Sequence, residues 1–195
     1  MKKIFVLILL CYFTNLSAQS WFRTYNKGAV IYDICNYNNS YFGFGAIAVG
    51  SVYSNYLLRV NSNGDTLFTK SFNDVSDSSQ GLLYKGFVDF NKDLVMIGYA
   101  AFTTKLKLIK TDTLGNLKWV KTFPISPNGV SVCMTPTYDS SYAIFGESSQ
   151  KGFMLKTDKD GNLLINKNYG YNYNYIKSVV LAADSGFTFC GFDKY

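Results

Sequence analysis

The sequence predicts an all-β fold of propeller-type repeats, in which four-stranded antiparallel blades recur about three and a half times in an incomplete ring. Three observations predict this fold. Similar segments return after roughly 45 to 50 residues, which is the length of one propeller blade. Short apolar runs alternate with polar turns and show no helical stripe. Phe, Trp and Tyr make up 17% of the 195 residues, a content typical of strands.

The clearest repeat is a turn followed by an outer strand. Three segments align without gaps and carry a basic residue, Asn or Asp, Gly, a large apolar residue, Lys and an aromatic residue at fixed offsets: 59–72, 110–123 and 156–169. In the third copy Gly161 supplies a positive φ, and Asp158 can hydrogen-bond the backbone two residues on. Each segment therefore predicts a third strand, a hairpin turn and a fourth strand.

A second repeated element precedes each of these turns. It is a polar turn followed by an apolar stretch ending in glycine, and the glycines are Gly45, Gly98, Gly146 and Gly191. The repeats divide the chain into units 26–72, 73–123, 124–169 and a partial unit, 170–195. In the third unit we expect strands at Val130–Met134, Tyr142–Phe145, Gly152–Lys156 and Leu163–Tyr169.

The outer strand has an apolar face interrupted by lysine. Trp119, Lys121 and Phe123 lie two residues apart and therefore share one face. We expect the aromatic pair to pack against the neighbouring blade, while the stem of Lys121 covers apolar surface and its ammonium group reaches water. The alternative interpretation is a row of ligand-binding lysines.

The first and last strands bear on ring closure. Residues 19–25 include a segment, 21–25, that matches 119–123 position by position and predicts an opening outer strand. Such a strand can complete the last blade and remove free sheet edges. Because the fourth unit stops before its third and fourth strands, we expect a fragment of a longer ring. A small open domain is the alternative.

Residues 1–18 have the pattern of a cleavable signal peptide. A basic start is followed by an apolar run over 4–13 and by the small residue Ala18. The run is shorter than the ~20 residues that a spanning helix needs, which disfavours a membrane anchor. The large residue before Cys11 disfavours a lipoprotein. We expect no transmembrane segment after signal removal, and a secreted or cell-surface protein.

Composition excludes several kinds of site and partner. The chain contains no His, which excludes Ser-His and Cys-His nucleophile pairs and His-ligated zinc. The formal net charge is +6, but the lysines are dispersed and there are only two arginines, so we expect no nucleic-acid partner. Cys35, Cys133 and Cys190 lie in apolar strand patterns, and buried free thiols are expected in preference to a disulfide bridge.

One copy of the turn motif supports a resemblance. Lys110, Asp112, Gly115, Asn116, Trp119, Lys121 and Phe123 form the pattern K-x-D-x-x-G-N-x-x-W-x-K-x-F. This pattern resembles secreted repeat proteins of the Bacteroidota with propeller-type, quinoprotein-like or kelch-like blades. Such proteins often end in a type IX secretion sorting domain, which is absent from this sequence. The resemblance implies a propeller exported to the cell surface or the medium.

The turn motif also resembles the tryptophan motif of quinoprotein propellers. Those enzymes bind pyrroloquinoline quinone and calcium, using acidic ligands and commonly a vicinal disulfide. This chain has no adjacent Cys pair, and Glu147 is its only Glu. The resemblance therefore implies architecture, and we expect no cofactor.

Candidate binding residues lie in an unusual linker before the fourth unit. Tyr171, Tyr173 and Tyr175 alternate with glycine and asparagine, so ring stacking and amide hydrogen bonds could suit a glycan. The alternative is an exposed connection between blades. Tyr53 and Tyr56 are weaker candidates of the same kind. Asp158–Asn162 is similar to a calcium loop but lacks the further ligands, so we interpret it as a plain turn and expect no metal site.

These expectations lead to one functional hypothesis and one alternative. The hypothesis is an exported, non-enzymatic scaffold that binds a protein or glycan partner through its loops. The acidic residues fall mostly in turns, and no carboxylate pair is marked as catalytic. The alternative is the propeller part of a secreted hydrolase or quinoprotein-like enzyme, with a site completed by further blades.

Overall fold

The fold is all-β in the described part of the chain. The computed structural model describes residues 22–25, 28–72, 81–100, 105–125, 127–149, 151–169 and 174–193. These residues contain fourteen strands and no helix. The strands form three four-stranded sheets and one two-stranded sheet, with antiparallel pairing throughout. The predicted fold class, an incomplete propeller of four-stranded blades, is confirmed.

Each sheet is one blade, and its strands follow one another in chain order. Blade 1 consists of β1 (Ala29–Tyr37), β2 (Ser40–Val49), β3 (Val52–Asn61) and β4 (Thr66–Lys70). Blade 2 consists of β5 (Gly81–Val88), β6 (Asp93–Ala100), β7 (Lys105–Asp112) and β8 (Leu117–Phe123). Blade 3 consists of β9 (Pro127–Pro136), β10 (Tyr142–Ser148), β11 (Lys151–Thr157) and β12 (Leu163–Tyr169). Blade 4 is the pair β13 (Asn174–Leu181) and β14 (Phe187–Asp193).

The turn between the third and fourth strands of a blade is fixed by its own side chains. In blade 3, Asp158 Oδ1 accepts hydrogen bonds from the backbone N–H groups of Asp160 at 2.9 Å and Asn162 at 2.8 Å. Gly161 follows with φ of 79°. Asp112 and Gly115 repeat this arrangement in blade 2. The predicted hairpin turn is confirmed, and its glycine is required by the positive φ.

The first strands of successive blades lie around a common centre. Strand β1 contacts β5, β5 contacts β9, and β9 contacts β13. The sheets therefore stand side by side with their first strands innermost, which is the arrangement of propeller blades. Because consecutive strands are antiparallel, the first and third turns of every blade lie at the same end of the ring. We call this end the turn face.

Apolar side chains fill the spaces between blades. Blades 1 and 2 enclose a cluster that includes Phe42, Phe44, Leu57, Leu83, Leu94 and Met96. Blades 2 and 3 enclose Ile97, Leu106, Leu108, Val132, Ile144 and Phe153. Blades 3 and 4 enclose Cys133, Phe145, Ile176 and Val179. The sheets thus bury both faces against their neighbours, which explains why β2, β6 and β10 read as nearly continuous apolar runs.

The glycines expected to end the second strands lie inside them, since β2 continues to Val49 and β6 to Ala100, and their presence has a steric cause. The innermost strands of blades 1 and 2 carry register shifts, after Ile31 in β1 and after Leu83 in β5. Near each shift a backbone carbonyl oxygen of the first strand lies against the glycine of the second strand. A Cβ at Gly45 or Gly98 would collide with this oxygen. Only glycine tolerates such a close approach of two backbones.

A lysine latch joins each outer strand to the turn of the next blade. Lys70 Nζ donates to Asn116 Oδ1 at 3.1 Å, and Lys121 Nζ donates to Asn162 Oδ1 at 3.2 Å. The lysine stems lie so close to the turn glycines that a Cβ at Gly115 would be 2.8 Å from Lys70 Cδ. The interpretation that these lysines serve packing is confirmed, and their ammonium groups also bond the turn.

Residues 22–25 are not assigned to a strand, but they dock on blade 1 as an outer strand would. The Tyr25 hydroxyl donates to the carbonyl oxygen of Gly64 at 2.8 Å, and Arg23 lies 3.8 Å from Asp65. Tyr25 also packs against the buried cluster that contains Tyr56. The repeat places Arg23 at the position of Lys70 and Lys121, so this segment makes the same kind of latch.

Some expectations lie outside the described residues, and one is wrong. The signal peptide, 1–18, is outside them. The three described cysteines are free thiols, of which Cys133 is buried and Cys35 half-buried, with pKa values raised by burial to about 12. Cys190 is exposed, which corrects the expectation that all three would be buried. In the described part, no helix has the length and apolar character to cross a membrane.

Candidate functional site

A polar cleft opens on the turn face between blades 2 and 3. Its volume is about 420 Å³, and we call it the Lys110 cleft. Blade 2 contributes Asn91, Asp93, Lys110, Lys118 and Trp119, and the turn of blade 3 contributes Lys159 and Asp160. Turns and strand ends position all of these side chains, so a rigid frame holds groups that hydrogen-bond and a large aromatic ring.

The cleft floor is a buried ion cluster. Lys110 Nζ lies 2.9 Å from Asp89 Oδ2 and 3.3 Å from Asp93 Oδ2. It also donates to the Tyr142 hydroxyl at 2.9 Å, and that hydroxyl donates to Asp89 Oδ2 at 2.7 Å. Tyr142 begins β10, so the cluster joins blade 2 to blade 3. The side chains of Lys110, Asp89 and Asp93 are at most 8% exposed.

Contacts within the cluster fix the protonation of Asp89 and Tyr142. Burial acts to raise the pKa of Asp89, but hydrogen bonds from Lys110 and Tyr142 outweigh burial and hold the pKa below its ordinary value. Burial, together with the hydrogen bond to Asp89, raises the pKa of the Tyr142 hydroxyl well above its ordinary value. Asp89 therefore stays ionised and Tyr142 stays protonated at neutral pH.

The cleft wall combines an indole ring with a bridging ion pair. Trp119 is half-buried, its ring centroid lies 6.5 Å from that of Tyr142, and a Cβ at Gly161 would be 3.0 Å from the indole. Lys118 Nζ lies 2.6 Å from Asp93 Oδ1 and is 46% exposed. Contacts with Tyr142 and with the Gly161 turn hold the indole in place, and part of the ring lines the cleft.

The opposite wall is the turn that is similar to a calcium loop. Asp158 accepts hydrogen bonds from its own turn through both carboxylate oxygens. Lys159 Nζ lies 3.0 Å from Asp160 Oδ2 at the surface. Among the described residues, no group of three or more Cys, Asp or Glu side chains is arranged to hold a metal ion.

A second cleft of about 400 Å³ lies at the opposite end of the same two blades. Its lining residues are Pro124, Ile125, Ser148, Ser149, Lys151, Asn166 and Asn168. No aromatic ring and no carboxylate belongs to this set. The Lys110 cleft is therefore the richer of the two in groups that recognise a ligand.

The tyrosines singled out in the sequence are only partly placed. Tyr171 and Tyr173 lie outside the described residues, and Tyr175 is described only through its backbone pairing with Phe192. Tyr53 is 50% exposed. Tyr56 is 2% exposed and belongs to a hydrophobic cluster, so its interpretation as a glycan contact is wrong.

Sequence reasoning missed the ion cluster. It assigned Asp93 to a turn and used Lys110 only as a repeat marker, and it did not consider Asp89 or Tyr142. One signal was available, because Asp89 and Asp93 flank the first turn of blade 2, whereas Tyr37 and Ser40 flank the corresponding turn of blade 1. This difference between blades 1 and 2 marks the turn at which the ion cluster forms.

Comparisons with known proteins support the fold alone. No family model and no curated protein matches the chain. Fourteen chains of solved structures match. One is a protein of unknown function from Bacteroides caccae, with a TM-score of 0.59 and 8% identity over 86% of this chain and 55% of that one. The chain thus spans about half the length of that neighbour, and a likeness at this identity indicates a shared architecture.

Proposed function

We propose that this chain is an exported, non-enzymatic binding scaffold that holds a protein or glycan partner through the loops and turns of its blades. The observation that carries the proposal is the Lys110 cleft, in which a fixed indole faces hydrogen-bonding groups held by rigid strands. Binding residues are commonly carried by loops on such a frame. Of the two partner classes, a glycan is favoured by the polar lining.

The charge pattern of the cleft supports binding in preference to acid–base catalysis. The pKa of Asp89 is held low and that of Tyr142 is held high, so neither group titrates near neutral pH. A general acid or base works best when its pKa lies near the operating pH. The enzymatic alternative, a hydrolase or quinoprotein-like site completed by further blades, would need an acid and a base other than Asp89 and Tyr142.

Export belongs to the same proposal. The pattern of residues 1–18 and the resemblance to secreted Bacteroidota repeat proteins support a location at the cell surface or in the medium. Expression of the whole chain in a Bacteroidota host, followed by N-terminal sequencing of the exported protein, tests this. We expect Gln19 as the first residue, and an uncleaved protein retained in the cytoplasm would contradict export.

Affinity electrophoresis tests the glycan form of the proposal. The full chain is run through native gels that contain laminarin, mannan, xylan, amylopectin or polygalacturonate. We expect at least one polysaccharide to retard it without release of reducing ends. Absence of retardation in every gel contradicts glycan binding, and release of reducing ends favours the enzymatic alternative.

A linker variant separates the two candidate positions. The triple substitution Tyr171→Ala, Tyr173→Ala and Tyr175→Ala removes the rings that the sequence singled out. If these rings bind the glycan, retardation disappears while the melting temperature is unchanged. Unchanged retardation would remove the linker as the binding position and would leave the Lys110 cleft.

A further inference from the structure

We infer that the Lys110 cleft is a binding site for an uncharged oligosaccharide. The inference rests on the proposed function, because it assigns a position and a ligand class to the same scaffold. A volume of about 420 Å³ falls within the range of ~300–1,000 Å³ that is usual for small-ligand sites. Several sugar hydroxyls could meet donors and acceptors on both walls.

The cleft is a departure from the repeat. Between blades 1 and 2 the corresponding basic residue is Arg59, whose Nη1 donates to the carbonyl oxygen of Thr113 at 2.9 Å. A side chain of blade 1 therefore crosses to the turn of blade 2. Lys110 instead points to Asp89 and Asp93 of its own blade. Its contact with blade 3 is the hydrogen bond to the Tyr142 hydroxyl at the start of β10, and not a bond to the turn of blade 3, so the space between the cleft walls stays open.

The residues around the cleft opening are also more polar at the second interface than at the first. At the first interface the wall positions are Leu67, Phe68, Thr113 and Leu114, and at the second they are Lys118, Trp119, Lys159 and Asp160. Three of these differences add a hydrogen-bonding group, and the fourth replaces a hydroxyl with an ammonium. Packing alone does not require this change, because Leu67 and Leu114 occupy the corresponding positions of the first interface although both are more than half exposed.

The lining chemistry fits a hydroxyl-rich ring. Trp119 offers an indole against which the C–H face of a pyranose can pack, together with an N–H donor. Asp160 and Asn91 supply acceptors, while Lys118 and Lys159 supply donors. These groups line the same cleft as the indole. Such alternation of an aromatic surface with donors and acceptors matches a molecule whose edges are hydroxyls and whose faces are C–H.

The charges favour an uncharged ligand. Each lysine of the cleft lies beside a carboxylate: Lys110 beside Asp89 and Asp93, Lys118 beside Asp93, and Lys159 beside Asp160. An anionic ligand would meet these carboxylates, and no arginine belongs to the lining to bind it in a bidentate manner. A cation would meet three ammonium groups. Because the charges of the cleft compensate one another, hydrogen bonds and ring contact are the expected sources of affinity.

Tryptophan emission gives a direct test. The chain has two tryptophans, so Trp21→Phe leaves Trp119 as the only indole. This protein, otherwise full length, is titrated with the tetraoses of laminarin, mannan, xylan and starch, and with tetragalacturonate. We expect a saturable change in Trp119 emission with at least one neutral tetraose and none with tetragalacturonate.

Three substitutions remove cleft groups by importing residues that blade 1 already uses. They are Lys118→Leu, as in Leu67, Trp119→Phe, as in Phe68, and Asp160→Asn, as in Asn63. Each should weaken tetraose binding about five- to tenfold by calorimetry, in line with the loss of one hydrogen bond or part of one ring contact. Lys167→Leu, the same charge change on the exposed outer strand of blade 3, is the matched control and should bind as the parent does.

The outcomes separate this inference from the proposed function. One outcome is that a neutral polysaccharide retards the protein, while Trp119 emission does not change and Asp160→Asn binds with the parental affinity. This outcome overturns the cleft as the binding site and is still consistent with a binding scaffold. Binding of tetragalacturonate alone overturns the uncharged class. Absence of binding to every polysaccharide and tetraose overturns this inference together with the glycan form of the proposed function, and leaves a protein as the partner. Asp160 is exposed, so its variant remains informative if Trp119→Phe lowers the melting temperature.

Discussion

The interface between blades 1 and 2 and the interface between blades 2 and 3 are built from the same repeat, but the basic residue at each interface has different partners. Both use the lysine latch and a turn glycine. At the first interface Arg59 bonds Ser40 and the backbone of Thr113. At the second, Lys110 is surrounded by two carboxylates and a tyrosine. A repeat can therefore conserve how its blades dock and vary what the docked blades expose.

The largest expected difference concerns the basic residue itself. Lys110→Met leaves the buried Asp89 and Asp93 without their shared cation, and such a loss typically costs ~3–5 kcal/mol. Arg59→Met removes hydrogen bonds to a hydroxyl and a carbonyl, and should cost ~1–2 kcal/mol. Urea unfolding of both variants gives the two free energies. Equal losses would mean that the ion cluster adds nothing particular to the second interface.

The turn glycines should behave alike at both interfaces. Gly115 and Gly161 have φ of 75° and 79°, and each lies against the stem of a latch lysine. Gly115→Ala and Gly161→Ala should each lower the free energy of unfolding by ~1–3 kcal/mol, because alanine is strained at positive φ and its Cβ displaces the lysine. Gly50, with φ of 65° and open space around it, is the matched control for backbone strain alone. A loss at Gly50→Ala as large as at the other two would show that the latch contact is unimportant.

The pH dependence of the free energy of unfolding should also distinguish the second interface, with a smaller effect than the substitutions above. A carboxyl group whose pKa is lower in the folded than in the unfolded state stabilises the fold above the unfolded value, and this contribution is lost as the pH falls through the folded value. Asp89 is such a group, with an ordinary value of 3.8. Tyr142→Phe removes one hydrogen bond that lowers its pKa, so the variant should be ~1 kcal/mol less stable at pH 7.

The difference between Tyr142→Phe and wild type should therefore shrink as the pH falls below about 4. Urea unfolding at a series of pH values measures it. Other carboxyl groups with lowered pKa values, such as Asp112 and Asp158, affect both proteins equally and cancel. Tyr84→Phe, a change at another buried tyrosine, should keep a constant difference from its parent across the series. A constant difference for Tyr142→Phe as well would contradict a role for this hydroxyl in holding Asp89 ionised.

The sequence predicts what repetition and turn chemistry determine. Gly161 and Asp158 recur at fixed offsets with their equivalents, so the hairpin and the strand that follows could be read directly, and β12 has the expected bounds. The ion cluster could not be read this way. Asp89 and Lys110 are separated along the chain and meet within the sheet of blade 2, and Tyr142 joins them only because blade 3 docks on blade 2. A contact that occurs at one interface leaves no periodic signal.

The smallest expected effect lies in the feature that the two interfaces share. Lys70 and Lys121 each make one hydrogen bond to a turn asparagine, and these bonds are exposed to solvent. Lys70→Met and Lys121→Met keep most of the stem that covers the turn glycine and remove only the ammonium group. Each should therefore cost about 0.5 kcal/mol or less, and the two losses should agree within error. A loss above ~2 kcal/mol in either variant would mean that the ammonium group, and not the stem, holds the blades together.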